Sequence, residues 1–192
     1  QEFDNSERRV FRLADVLHVE PRPGPDLAFF RVDPTGTTSL AKPIVLSARA
    51  PEKNAAVGVI GYPASDGRIP DRALMLRIYA GMFDKKRFAP GVLTDFDETQ
   101  ILHDCATLGG NSGSVVLDLD EGKAVGLHFR GAFEVANYAV RASVVQRVLD
   151  ELRKGTLRSR VSVRRPERAA ATPPPRPPPR PPARAAGAGP GA

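Results

Sequence analysis

The chain has 192 residues, 28 Lys and Arg against 22 Asp and Glu, and 41% hydrophobic residues, which suits one globular domain with a tail. No apolar run approaches the ~20 residues of a membrane-crossing helix, and the single cysteine, Cys105, excludes an intrachain disulfide. Residues 158–192 hold eight Arg and one Glu, so a chain of +6 leaves −1 for residues 1–157. The globular part therefore gives no general signal for nucleic-acid binding.

Without tryptophan, the core is expected to be Val, Leu, Ile and Ala, with Cys105 as one more small buried hydrophobe. The chain opens at Gln1 in polar sequence with no signal-peptide pattern. An earlier segment is expected, and the compartment stays open.

Residues 9–19 alternate well enough for a strand. Val10, Arg12, Ala14, Val16 and His18 would share one face, and Phe11, Leu13, Leu17 and Val19 the other. The prolines from Pro21 to Pro25 break it. Asp26 then heads a buried-type strand that runs to Val32. After Gly-Pro, Asp26 is either a turn residue or a carboxylate placed to orient a histidine.

Short apolar strands are expected at Pro43 to Ser47 and Ala56 to Ile60, the second ended by Gly61-Tyr62-Pro63. Residues 64–73 read as loop, Leu74 to Tyr79 as strand, and Met82 to Pro90, with Lys85, Lys86 and Arg87, as a solvated loop. Gly91 to Phe96 and Ile101 to Cys105 would form a hairpin. Strands at 114–119 and 124–129 and from Phe133 to Val140 complete an all-β pattern. Ser143 to Gln146 has the capping-box spacing. Val145, Val148, Leu149 and Leu152 then share a helical face that Gly155 would stop. Beyond Arg158, a Pro-, Arg- and Ala-rich segment cannot bury enough apolar surface to fold. It reads as a disordered tail, either a linker to a further domain or a docking site for a partner.

Thr107 to Ser114, Thr-Leu-Gly-Gly-Asn-Ser-Gly-Ser, sits between the hairpin and the next strands. Glycines on both sides of Ser112 permit a sharp turn and the close approach of a substrate carbonyl. A hydroxyl on such a turn is where acyl transfer would place a nucleophile, although Gly, Asn and Ser also form ordinary turns.

His103 to Ser114, Val125 to Gly131 and Asn137 to Val140 together resemble the trypsin-like serine peptidases, closest to the bacterial glutamyl endopeptidase-like branch. The resemblance takes in most of residues 9–154 and is strongest around Ser112. It implies a double β-barrel, its first barrel incomplete, with a closing C-terminal helix, in a domain of residues 1–157 followed by the tail of 158–192. It implies amide hydrolysis through an acyl-enzyme, without metal or cofactor, on a peptide or protein substrate. Ser112 would be the nucleophile, Gly110 and Ser112 would give the oxyanion-hole N–H groups, and Asp26 would be the triad carboxylate. Ser114 is the decoy. Thr107 and His128 would line the primary specificity pocket, where both can donate to a Glu or Asp carboxylate. His128 reads equally as a strand histidine with a backbone partner.

The sequence departs from this family at the base. A serine nucleophile needs one within hydrogen-bond reach. His128 belongs to the pocket strand, His103 follows Asp26 in the wrong order, and His18 precedes Asp26 by only eight residues. The catalytic histidine is expected before Gln1, or on a second polypeptide. The alternative is a non-catalytic trypsin-like domain that binds a peptide or partner in its cleft.

Overall fold

In the computed structural model, residues 11–33 and 40–157 are described. The expectation for the tail falls outside them. Among the described residues, ten elements follow one another along the chain. β1 (Arg12–Val19) and β2 (Ala28–Asp33) precede β3 (Ala56–Gly61), α1 (Arg72–Tyr79), β4 (Arg87–Phe96) and β5 (Gln100–His103). Then come β6 (Val115–Asp118), β7 (Ala124–Ala132), β8 (Ala136–Arg141) and α2 (Ala142–Arg153).

Six strands close a barrel in the order β3-β4-β5-β8-β7-β6, with β3 pairing β6 to complete it, and β1 and β2 form a separate two-stranded antiparallel sheet. The expected all-β, trypsin-like barrel architecture is thus observed. Strand alternation explains the barrel interior. Val57 and Val59 on β3, Leu93 on β4, Ile101 on β5, Val116 on β6 and Ala139 on β8 meet in one core with Cys105 and Ala89. The core is aliphatic, as the lack of tryptophan requires, and Cys105 is free and wholly buried in it.

A second cluster joins the two-stranded sheet to the barrel. Leu27, Val140, Val144 and Val148 are buried together, with Phe29, Leu127 and Phe129 packed against them. The helix α2 therefore covers β7 and β8 and receives the start of β2.

Five expectations need correction. Leu74 to Tyr79 is helix, not strand. The Asp71 side chain caps α1 by accepting from the Leu74 N–H at 2.8 Å, and Met75 and Tyr79, four residues apart, are its buried pair. Leu74, Leu76 and Ile78 alternate along the chain, a period of two that the burial does not follow. Pro43 to Ser47 makes only an isolated parallel bridge, Leu46 to Ala124, with Ser47 N–H on the Ala124 carbonyl at 2.8 Å. The solvated loop from Met82 ends earlier than expected, because β4 starts at Arg87.

Ser143 does not cap α2. The chain passes directly from β8 through Arg141, the cap residue, whose side chain does not bond the helix terminus, and so Ser143 falls inside the first turn. Val144 and Val148 are the deeply buried pair, while Val145 is only half-buried. Gly155 does end this helix. It adopts φ +69°, and the N–H groups of Gly155 and Thr156 bond the carbonyls of Leu152 and Glu151. On β1 the expected two faces are broken by register shifts at Leu13/Asp15 and Val16/His18, which leave His18 as its one buried side chain.

Candidate active site

The turn before β6 is fixed from within. Asn111 N–H bonds the Leu108 carbonyl at 3.2 Å, Ser114 N–H bonds the Asn111 carbonyl at 2.9 Å, and Gly113 N–H reaches the His128 carbonyl on β7 at 2.7 Å. Gly110 and Gly113 adopt φ +92° and +87°, the left-handed region open to glycine. A side chain on Gly110 would collide with the Tyr62 carbonyl oxygen. The Gly109 carbonyl accepts from Ala64 N–H at 2.7 Å, so the turn is also fastened to the segment after β3.

These bonds separate the two serines. Ser114 is buried, its side chain beside Gly61, whereas Ser112 is exposed at the apex. The Ser112 hydroxyl donates to the Phe129 carbonyl at 3.2 Å. Among the described residues, the N–H groups of Gly110 and Ser112 meet no acceptor, while those of Asn111, Gly113 and Ser114 do.

Ser112 lies on the rim of a cavity of about 690 Å³ that Thr107, His103, His128, Arg130 and Asn137 also line. His128 projects from β7 and His103 from β5, both buried. His103 Nε2 and His128 Nδ1 are 3.2 Å apart, and the rings meet edge to face. His128 therefore has a histidine partner where a backbone partner was the alternative expected. Burial lowers the pKa of both to about 4, with the neighbouring imidazole adding to the effect on His103, so both are neutral near pH 7.

Thr107 is held by β8. Its hydroxyl is 2.6 Å from Asn137 Oδ1, and Asn137 Nδ2 donates to the Cys105 carbonyl at 2.9 Å. On the rim, Asp66 accepts from Arg68 at 2.7 Å and from Gly109 N–H at 3.3 Å. The Arg68 side chain, then backbone N–H donors, keep this carboxyl well below the usual carboxylate range.

Asp26 does not line this cavity. It is exposed in the turn before β2 and shares no hydrogen bond with Ser112. Its neighbour Leu27 is buried in the cluster that Phe129 packs against, and Phe129 is the residue whose carbonyl takes the Ser112 hydroxyl. The third histidine, His18, bonds Glu20 within β1 and the segment after it. None of the three histidines bonds Ser112. No group of side chains able to hold a metal ion occurs among the described residues.

Sequence reading missed Asn137 behind Thr107 and His103 behind His128. Both pairings depend on long-range strand neighbours, β5 beside β8 with His103 opposite Asn137 and β7 beside β8, which no local pattern determines.

A barrel of this topology with a glycine-flanked serine at its mouth defines a peptidase-type domain. The chain belongs to the trypsin-like peptidase domain family, whose model matches residues 2–127. It is also 33% identical over 149 residues to a probable serine protease of Lysobacter enzymogenes, a match that takes in 67% of this chain. The chain spans 38% of the length of that relative.

Proposed function

We propose that these residues form the serine-bearing part of a serine endopeptidase that cleaves peptide bonds through an acyl-enzyme. The observation that carries this reading is the pair of unengaged N–H groups, Gly110 and Ser112, beside an exposed hydroxyl on a fixed turn. Ser112 Oγ attacks the scissile carbonyl, and the two N–H groups receive the oxyanion. Fixed donors of this kind are each worth about 3–4 kcal/mol of barrier. The attack requires the hydroxyl to leave the Phe129 carbonyl, to which it now donates.

The base is an imidazole from outside these 192 residues, because His103 and His128 are bonded to each other and His18 to Glu20. Asp26 is the carboxylate that orients it. Thr107 and His128 mark the cavity as the primary specificity pocket, for a side chain that ends in a polar carbonyl-type group. Glu or Asp is the choice implied by resemblance to glutamyl endopeptidases.

The same histidine geometry supports a second reading, a non-catalytic domain that holds a peptide in its cleft. A fluorophosphonate probe separates the two. Full-length protein is expected to label at Ser112 and to lose the label in Ser112→Ala, whereas the 192-residue chain alone turns over peptides very slowly. Equal labelling of wild type and Ser112→Ala, or no labelling of the full-length protein, rejects the peptidase.

A further inference from the structure

The polar atoms of the pocket have directions, and these can be read from their partners. Asn137 Nδ2 donates to the Cys105 carbonyl, which turns Oδ1 toward Thr107. The Thr107 hydroxyl therefore spends its proton on Asn137 Oδ1 and presents only lone pairs to the cavity. It accepts there; it does not donate, in contrast to the expectation from sequence.

The histidines resolve in the same way. His103 Nδ1 is buried without a partner. An orphan N–H costs more than an orphan lone pair, so the proton of His103 sits on Nε2 and is donated to His128 Nδ1. His128 then carries its own proton on Nε2, an atom with no protein partner among the described residues. Thr107 and His128 thus offer the cavity one donor, His128 Nε2–H, and one acceptor, Thr107 Oγ.

Charge points the same way. The charged side chains that line the cavity are Asp66, Asp104 and Glu134 against Arg68 and Arg130. Arg68 is already paired with Asp66, and Arg130 stacks on the Tyr138 ring at 4.4 Å. With both imidazoles neutral, the lining has no surplus of positive charge to hold a carboxylate, whose lone pairs would also face those of Thr107.

We propose that this pocket selects a neutral carboxamide side chain, glutamine rather than glutamate, with the carboxamide oxygen on His128 Nε2–H and its N–H on Thr107 Oγ. The selection rests on the peptidase reading only for the position of that side chain, next to the scissile bond. Discrimination between the two isosteres comes from the mispaired acceptor and the unneutralised charge.

Binding without turnover tests it. The 192-residue chain carrying Ser112→Ala is titrated at pH 7.5 with acetyl-Ala-Ala-Gln-Ala-amide and with its Glu counterpart, followed by the imidazole ¹⁵N–¹H signals. The Gln peptide is expected to bind about tenfold tighter or more, with its largest shift at His128. Thr107→Val, added to this background, should remove the preference, and Thr107→Ser should keep it. Equal or tighter binding of the Glu peptide, binding of neither, or a preference that survives Thr107→Val overturns the proposal. Fluorophosphonate labelling of the full-length protein reports separately. Gln binding without labelling rejects the peptidase and leaves the pocket standing, while labelling with a Glu preference does the reverse.

Discussion

The closed barrel and the two-stranded sheet carry the two halves of the proposed chemistry, and they are built very differently. In the barrel every strand has a neighbour on each side, and Val57, Ile101, Val116 and Ala139 are fully buried. Among the described residues, the sheet of β1 and β2 has no third strand on either edge, and the four residues from Arg12 to Asp15 are all exposed. Two strands alone are marginal in water. This sheet depends on Leu27 and Phe29 packing against α2 and β7. The serine thus stands on a closed framework with its own core, and Asp26 on a sheet held by packing against that framework.

The sharpest test of the division is chemical. In the full-length protein, Ser112→Ala should lower kcat/KM by about 10⁴-fold or more, with an unchanged melting temperature because the side chain is exposed. Asp26→Asn should cost about 10³–10⁴-fold, again with little change in stability. If Asp26→Asn leaves turnover within a few-fold, the sheet has no part in catalysis.

Stability comes next in size. Leu93→Ala opens a cavity in the barrel core and should cost about 2–5 kcal/mol in chemical denaturation. Leu13→Ala on the exposed face of β1 should stay within about 0.5 kcal/mol. Hydrogen exchange should accordingly find the β1 and β2 amides opening well before those of β3 and β6. Uniform protection across both would dissolve the contrast.

The smallest effect is graded with pH. The folded state keeps His103 and His128 neutral, with pKa values of about 4 against about 6.5 unfolded. Below pH about 6.5 the unfolded chain therefore binds more protons than the native one. The contribution is complete above pH about 6.5 and is lost as pH falls toward about 4, by up to about 1.4 kcal/mol per pH unit for each imidazole. Urea midpoints measured from pH 8 to pH 4 should trace this fall, and His103→Phe should flatten it.

How far the sequence revealed all this varied with the range of the interactions. The hairpin of β4 and β5, the strands after the serine and the glycine stop at Gly155 were legible, because local pattern and turn chemistry decide them. The helix α1 was not. Its signal lay in one cap, Asp71, and one buried pair, Met75 and Tyr79, against an alternating apolar run. The serine turn could be read from its glycines. The pocket could be read only in part: Thr107 and His128 were identified, but the hydrogen-bond sense of each is fixed by Asn137 and His103, partners 30 and 25 residues away.

Cys105 has a practical consequence. Burial first, then the nearby Asp104 carboxylate, raises its thiol to about 11, so maleimides and alkylating reagents should pass the native protein by. A fluorophosphonate adduct formed under native conditions therefore does not report this sulfur. When the barrel opens, that thiol becomes accessible, and one equivalent of maleimide uptake would count the unfolded molecules directly.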